Sequence, residues 1–154
     1  MNMKQLCKFL IKAKINTYAS QGENGKMILS DGSNEFKFQE KTFSYRDRHF
    51  GFNPFIGEEI VWQSKKAAWG MNYYGKIIAK IIPAKNIYSF LQEALKKPNA
   101  DKPFRGPANF RNGDLRYINK MQGTVKNFTG AETIFYKKQQ IYQLIYHGGL
   151  IIIK

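Results

Sequence analysis

Five consecutive residues, Tyr45-Arg46-Asp47-Arg48-His49, bring two guanidinium groups, a carboxylate and an imidazole into one short stretch. Guanidinium forks meet phosphate oxygens in two-point contacts, each worth roughly 1.5–3 kcal/mol when water is kept out. The same forks pair equally well with local acids such as Asp47 or Glu59, and both uses stay open. A second stretch, Trp69-Gly70-Met71-Asn72-Tyr73-Tyr74-Gly75, is rich in rings. On a strand, Trp69, Met71 and Tyr73 point one way and Gly70, Asn72 and Tyr74 the other. The first set reads as core. The second could cradle a planar polar ligand, with Asn72 supplying donors and an acceptor and Tyr74 a ring and a hydroxyl. Further along come Arg105-Gly106-Pro107, Arg111 and Arg116. With only five Arg among the 25 Lys and Arg, these positions look placed rather than scattered.

Glu58-Glu59 and Glu132 lie within apolar runs, so some of these carboxylates face inward and need partners or take raised pKa values. Asp47, Glu59, Glu132 and the histidines could form an acid–base pair, but the spacing is not diagnostic and structural ion pairs are the commoner use. One Cys and two distant His have no metal-ligand spacing. Gly22 and Gly25 fit no phosphate-loop pattern, and no nucleophile elbow or His-Glu-x-x-His helix is present.

The elements that must position these groups sit in a chain of 154 residues, read as a single domain over residues 1–154. It is 43% hydrophobic and 23% charged, enough for a core. Against 25 Lys and Arg stand 11 Asp and Glu, a formal net charge of +14. Such a surplus gathers anions, and the nine Tyr, twelve Phe and two Trp offer faces for flat rings. Lysine-rich composition drift is the competing source of the charge. Lone Cys7 fits a reducing compartment. The start of the chain lacks the features of a signal peptide, and no apolar run approaches a membrane span. A cytoplasmic location follows, with no membrane partner.

Leu6, Phe9, Leu10 and Ala13 recur at helical spacing and predict a helix over Met3 to Ile15; Ile87, Phe90, Leu91, Ala94 and Leu95 predict another over Ile87 to Lys97, ended by Pro98. Period-two stretches predict strands at 35–38, 43–47, 56–63, 67–74, 115–121, 131–136 and 141–147, with a hairpin turn around Ser64-Lys65-Lys66. Asn99 to Gly113 reads as an irregular loop. The last strand is apolar on both sides, so something should cover each face. No internal repeat is evident. The expected fold is α+β: a curved, mostly antiparallel sheet of about six to eight strands with two or so packed helices.

Several short elements occur in a telling order: Thr17-Tyr18-Ala19, Phe55-Ile56-Gly57-Glu58-Glu59, the Trp69 to Gly75 stretch, Phe90 to Leu95, Arg105-Gly106-Pro107, Phe128-Thr129-Gly130-Ala131-Glu132 and His147-Gly148-Gly149. Together, from about Leu6 to Gly149, the chain resembles the bacterial domain of unknown function numbered 5680. That family carries no assigned activity. Its members resemble stand-alone proteins or the C-terminal part of helix-turn-helix regulators, a context that implies ligand sensing; here a single short helix precedes the domain. The resemblance marks Asn72, Tyr73, Arg105 and His147 as candidates. Arg48-His49 departs from a Ser-Tyr pair associated with the family.

The leading expectation is a non-catalytic module that binds or sequesters a small anionic, ring-bearing ligand of nucleotide type, in a bacterial cell or encoded by a phage as an anti-defence sponge. The expected ligand contacts are Tyr18, Arg46, Arg48, His49, Trp69, Asn72, Tyr74, Arg105, Arg111 and His147, without catalytic residue, metal or cofactor. Nucleic-acid binding and a nucleotide hydrolase or phosphodiesterase are the alternatives. Self-association as a homodimer is expected from the two-sided last strand and the Ile151-Ile152-Ile153 tail.

Overall fold

A computed structural model describes residues 2–21 and 25–152 of the chain; Gly22 and Ile153 lie outside the described residues. Asn2 caps the first helix, α1 (Met3–Ile15), its side chain accepting from the Lys4 and Gln5 amides. A single turn, α2 (Tyr18–Gln21), follows. Helix α3 (Ala84–Leu95) starts directly after Pro83, one turn earlier than the apolar spacing predicts, because proline's fixed φ and missing N–H suit a helix start.

Among the described residues nine strands form one antiparallel sheet: β1 (Met27–Ile28), β2 (Asn34–Glu40), β3 (Phe43–Gly51), β4 (Phe55–Gln63), β5 (Lys66–Ile77), β6 (Asn109–Asn112), β7 (Leu115–Thr124), β8 (Asn127–Tyr136) and β9 (Gln139–Leu150). Their order across the sheet is β1-β2-β3-β4-β5-β9-β8-β7-β6. The α+β class with an antiparallel sheet stands as expected. The strand that the loop reading of Asn99 to Gly113 misses is β6, whose Asn-Phe-Arg-Asn offers one apolar residue between a proline and a glycine. The β4–β5 hairpin turns on Ser64 and Lys65, both at positive φ, as a two-residue turn between Gln63 and Lys66 requires.

One sheet face is apolar and carries the helices. Phe43, Tyr45, Val61, Trp69, Met71, Tyr73, Phe128, Ile134, Tyr142, Leu144 and Tyr146 are buried on it, under Leu6, Phe9, Leu10 and Ala13 of α1 and Ile87, Phe90, Leu91 and Ala94 of α3. The two-sided apolar pattern of β9 resolves in two ways. Ile134 pairs with Tyr142 but Phe135 with Gln140, so Ile141 is the extra residue of a bulge and turns into the core. Ile145 stays on the other face, in solvent.

An internal repeat is present after all. Leu6-x-x-Phe9-Leu10-x-x-Ala13 of α1 matches Ile87-x-x-Phe90-Leu91-x-x-Ala94 of α3. Phe55-x-Gly57-x-Glu59-x-Val61 of β4 matches Phe128-x-Gly130-x-Glu132-x-Ile134 of β8, and Trp69-x-Met71-x-Tyr73-x-Gly75 of β5 matches Tyr142-x-Leu144-x-Tyr146-x-Gly148 of β9. On β3 and β7 the pairs are Tyr45 and Tyr117, Asp47 and Asn119, His49 and Met121, and Gly51 and Gly123. The strand registers obey the same correspondence. Gly57 faces Tyr73 and Gly130 faces Tyr146; Asp47 faces Glu59 and Asn119 faces Glu132. Tyr73 and Tyr146 face each other where β5 meets β9, so an approximate two-fold axis passes between them. Ring packing repeats too: Phe9 lies 5.8 Å from Phe38, and Phe90 lies 5.4 Å from Phe110. Single residues spaced at alternate positions carry the likeness, which is why no contiguous stretch reveals it.

Candidate functional site

Polar side chains on the helix-covered face must be partnered to be stable there. Glu59 on β4 takes an ion pair from Lys14 of α1 and a hydrogen bond from the Tyr45 hydroxyl. Its counterpart Glu132 on β8 is bound by Arg105 at 2.9 Å and by the Tyr117 hydroxyl. The two buried Tyr–Glu–cation clusters are thus equivalent, although one cation comes from a helix and the other from the loop after α3. That loop is pinned by Gly106, whose amide donates to the Tyr117 hydroxyl at 3.1 Å, and by Asn119, which donates to the Gly106 carbonyl at 3.1 Å. Burial holds the Lys14 pKa below its ordinary value, with Glu59 opposing the shift. Burial also works against the Arg105 charge, but Glu132 outweighs it and the guanidinium stays ionised.

The halves part company one position further along. In the second half the Tyr146 hydroxyl donates to the Asn119 side-chain oxygen at 2.8 Å. In the first, the Tyr73 hydroxyl donates to the Asp47 carboxylate at 2.5 Å. Burial and the nearby Glu59 charge push the Asp47 pKa from 3.8 to about 7, against the pull of the Tyr73 hydrogen bond. His49, buried and stacked on Phe36 at 6.2 Å, stands where the second half has Met121.

Asp47 and His49 line a recess of about 40 Å³ that is open to solvent. Gly51 and the side chains of Tyr18, Phe52, Phe55, Tyr73, Tyr88, Leu91 and Arg105 complete its walls. A smaller neighbouring hollow shares Tyr18, Asp47 and Arg105 and adds Lys14 and Glu59. The Arg105 guanidinium sits over the Tyr73 ring at 5.7 Å. Two buried polar atoms, Arg105 Nε and the Tyr142 hydroxyl, have no hydrogen-bond partner among the described residues. Arg105 lines both hollows, whereas fully buried Tyr142 lines neither.

Of the ten residues expected from sequence, three converge here: Tyr18, His49 and Arg105. Five others, Arg46, Arg48, Asn72, Tyr74 and His147, share the opposite, helix-free sheet face; Arg48, Glu58, Asn72 and His147 form one cross-strand row. Arg46 binds Glu58 at 2.5 Å and lies over the Trp62 ring at 5.2 Å. Arg48 binds Glu35 through two nitrogens, at 2.7 and 3.0 Å. Neither guanidinium faces the recess, because residues at even positions of β3 point away from Asp47 and His49. Arg111 is exposed at the far edge, opposite Arg116. Trp69 is fully buried, its indole donating to the Val125 carbonyl at 3.1 Å, and has no face to offer a ligand. The expected gathering of arginines in one hollow therefore does not occur, and Arg105 alone reaches it. Gly51, Phe52, Phe55, Tyr88 and Leu91 are recess residues outside the expected set, while Tyr73 is marked by the family resemblance and Asp47 is named as a possible acid–base group; the mismatch of Asp47 and His49 with Asn119 and Met121 is the signal that singles out Asp47. Among the described residues no cluster of His, Cys, Asp and Glu could hold a metal ion, and no helix is long and apolar enough to cross a membrane.

Fold and recess together define a duplicated α+β domain with helices on one sheet face and a ring-lined hollow in its first half. Residues 47–151 match the family described as a domain of unknown function (DUF5680), and the chain belongs to that family. The match takes in both the Trp69 to Gly75 stretch and His147-Gly148-Gly149, while α1 and β2 precede it. No curated protein and no solved structure matches the chain.

Proposed function

We propose that this protein is a non-catalytic binding module for a small planar ligand of nucleotide type, which puts its ring into the recess and keeps its phosphate at the mouth. The observation that carries this reading is the divergence between the halves. Asn119 and Met121 satisfy the fold at the equivalent positions, so packing alone does not require an ionisable Asp47 or His49. A carboxyl and an imidazole in an aromatic slot suit the donor–acceptor edge of a nitrogen heterocycle. Arg105, which lines the recess, has an Nε without a hydrogen-bond partner among the described residues. The Lys14–Glu59 and Arg105–Glu132 pairs nearly balance the charge inside. Attraction for phosphate comes instead from the net charge of +14 acting at the mouth. Such a module serves equally as a sensing domain or as a sponge for a signal.

Isothermal calorimetry against linear and cyclic nucleotides and their nucleosides tests this. The expected result is micromolar affinity, about 8 kcal/mol, for at least one nucleotide, with Asp47→Asn weakening it about tenfold or more. Silence across the panel at millimolar ligand would remove the proposal.

A second reading is supported by the Asp47 pKa of about 7 beside an imidazole, the range suited to general acid–base work on a phosphoester. Chromatography of each nucleotide after overnight incubation separates the two. New products establish hydrolysis, and intact ligand leaves binding.

A further inference from the structure

The helix-free face of the sheet carries an exposed apolar stripe that the fold does not use. Phe50, Ile56, Tyr74 and Ile145 are directly opposed on β3, β4, β5 and β9, at 44%, 55%, 44% and 63% exposure. The same row continues through Ala131 to Lys120 on β7. Lys76, two residues beyond Tyr74 on β5, flanks it on the same face. Neither Lys76 nor Lys120 has an ion-pair partner among the described residues, whereas Arg46 and Arg48 are held by carboxylates. At about 4.8 Å per strand the row from Phe50 to Lys120 spans roughly 24 Å.

We infer that this face binds single-stranded nucleic acid, with bases stacked on Tyr74 and Phe50 and phosphates on Lys76 and Lys120. Charge complementarity selects this occupant. A second copy would bring its own Lys76 and Lys120 against the same stripe, in a chain whose net charge is already +14. A polyanion is attracted by those cations, and its rings meet the aromatic faces. A duplex keeps its bases stacked on one another and would engage the lysines alone. The stripe is separate from the recess, so this site stands or falls independently of the nucleotide-type ligand proposed above.

Fluorescence anisotropy with labelled oligo-U, oligo-dT and a duplex of equal length, about 12 nucleotides, tests the inference. A single strand is expected to bind more tightly than the duplex. Its log affinity should fall with log salt at a slope of about −1.4, as for two phosphates. Tyr74→Ala, at an exposed position, should weaken the single strand roughly 5- to 100-fold. Lys120→Glu should flatten the salt slope by about 1. Absence of binding, equal affinity for the duplex, or indifference to Tyr74→Ala overturns the inference. A dimer in light scattering that Ile145→Lys dissociates overturns it too, since a second copy would then own the stripe.

Discussion

Asp47 is the residue at which the first half stops resembling the second. Its folded pKa of about 7, against 3.8 for the free group, means the native protein keeps a proton that the unfolded chain releases. This contribution to stability is therefore full below about pH 4 and is lost as pH rises through about 7. A displacement of that size corresponds to on the order of 4 kcal/mol. Urea unfolding between pH 5 and pH 8 should show wild type losing stability relative to Asp47→Asn as pH rises; a constant difference between the two would contradict the assignment. Taking the difference cancels the other titrating groups, notably Glu35, where hydrogen bonds from Lys37 and Arg48 overcome burial and hold the pKa low. At this scale the sequence was partly legible. Tyr18, His49 and Arg105 stand out by type. Asp47 was named only as a possible acid–base group between two arginines, and strand alternation is what separates it from them.

Among the elements, β4 and β8 do the same job by the same means. The Tyr73 ring crosses over Gly57 and the Tyr146 ring over Gly130, and a side chain at either glycine would run into the tyrosine ring or its hydroxyl. Gly130→Ala is therefore expected to destabilise by about 1–3 kcal/mol, measured by thermal unfolding followed by circular dichroism. An unchanged midpoint would mean that Tyr146 can move aside. Long elements with clear periodicity were readable: α1, the β4–β5 hairpin, and β7 to β9 follow from spacing and turn residues alone. What escaped were the short ones. The two residues of β1 and the four of β6 are held by pairing with neighbouring strands, which leaves almost no local mark, and α2 is a single turn closed on Thr17, too short for any periodicity. The bulge that turns Ile141 inward is of the same kind.

For the whole molecule, the governing fact is the join between β5 and β9. The core runs unbroken across it, from Trp69, Met71 and Tyr73 to Tyr142, Leu144 and Tyr146. Calorimetric unfolding should accordingly give one transition, with calorimetric and van't Hoff enthalpies in agreement. Two resolved transitions would show the halves to be separate cooperative units. Duplication was invisible in the chain because the halves share only their inward positions, one residue in two on strands and one in three or four on helices, while the outward ones differ. That arrangement gives the protein a spare. The post beside the buried tyrosine is filled twice, so one copy can remain a plain amide that serves the scaffold while its twin is at liberty to carry a charge.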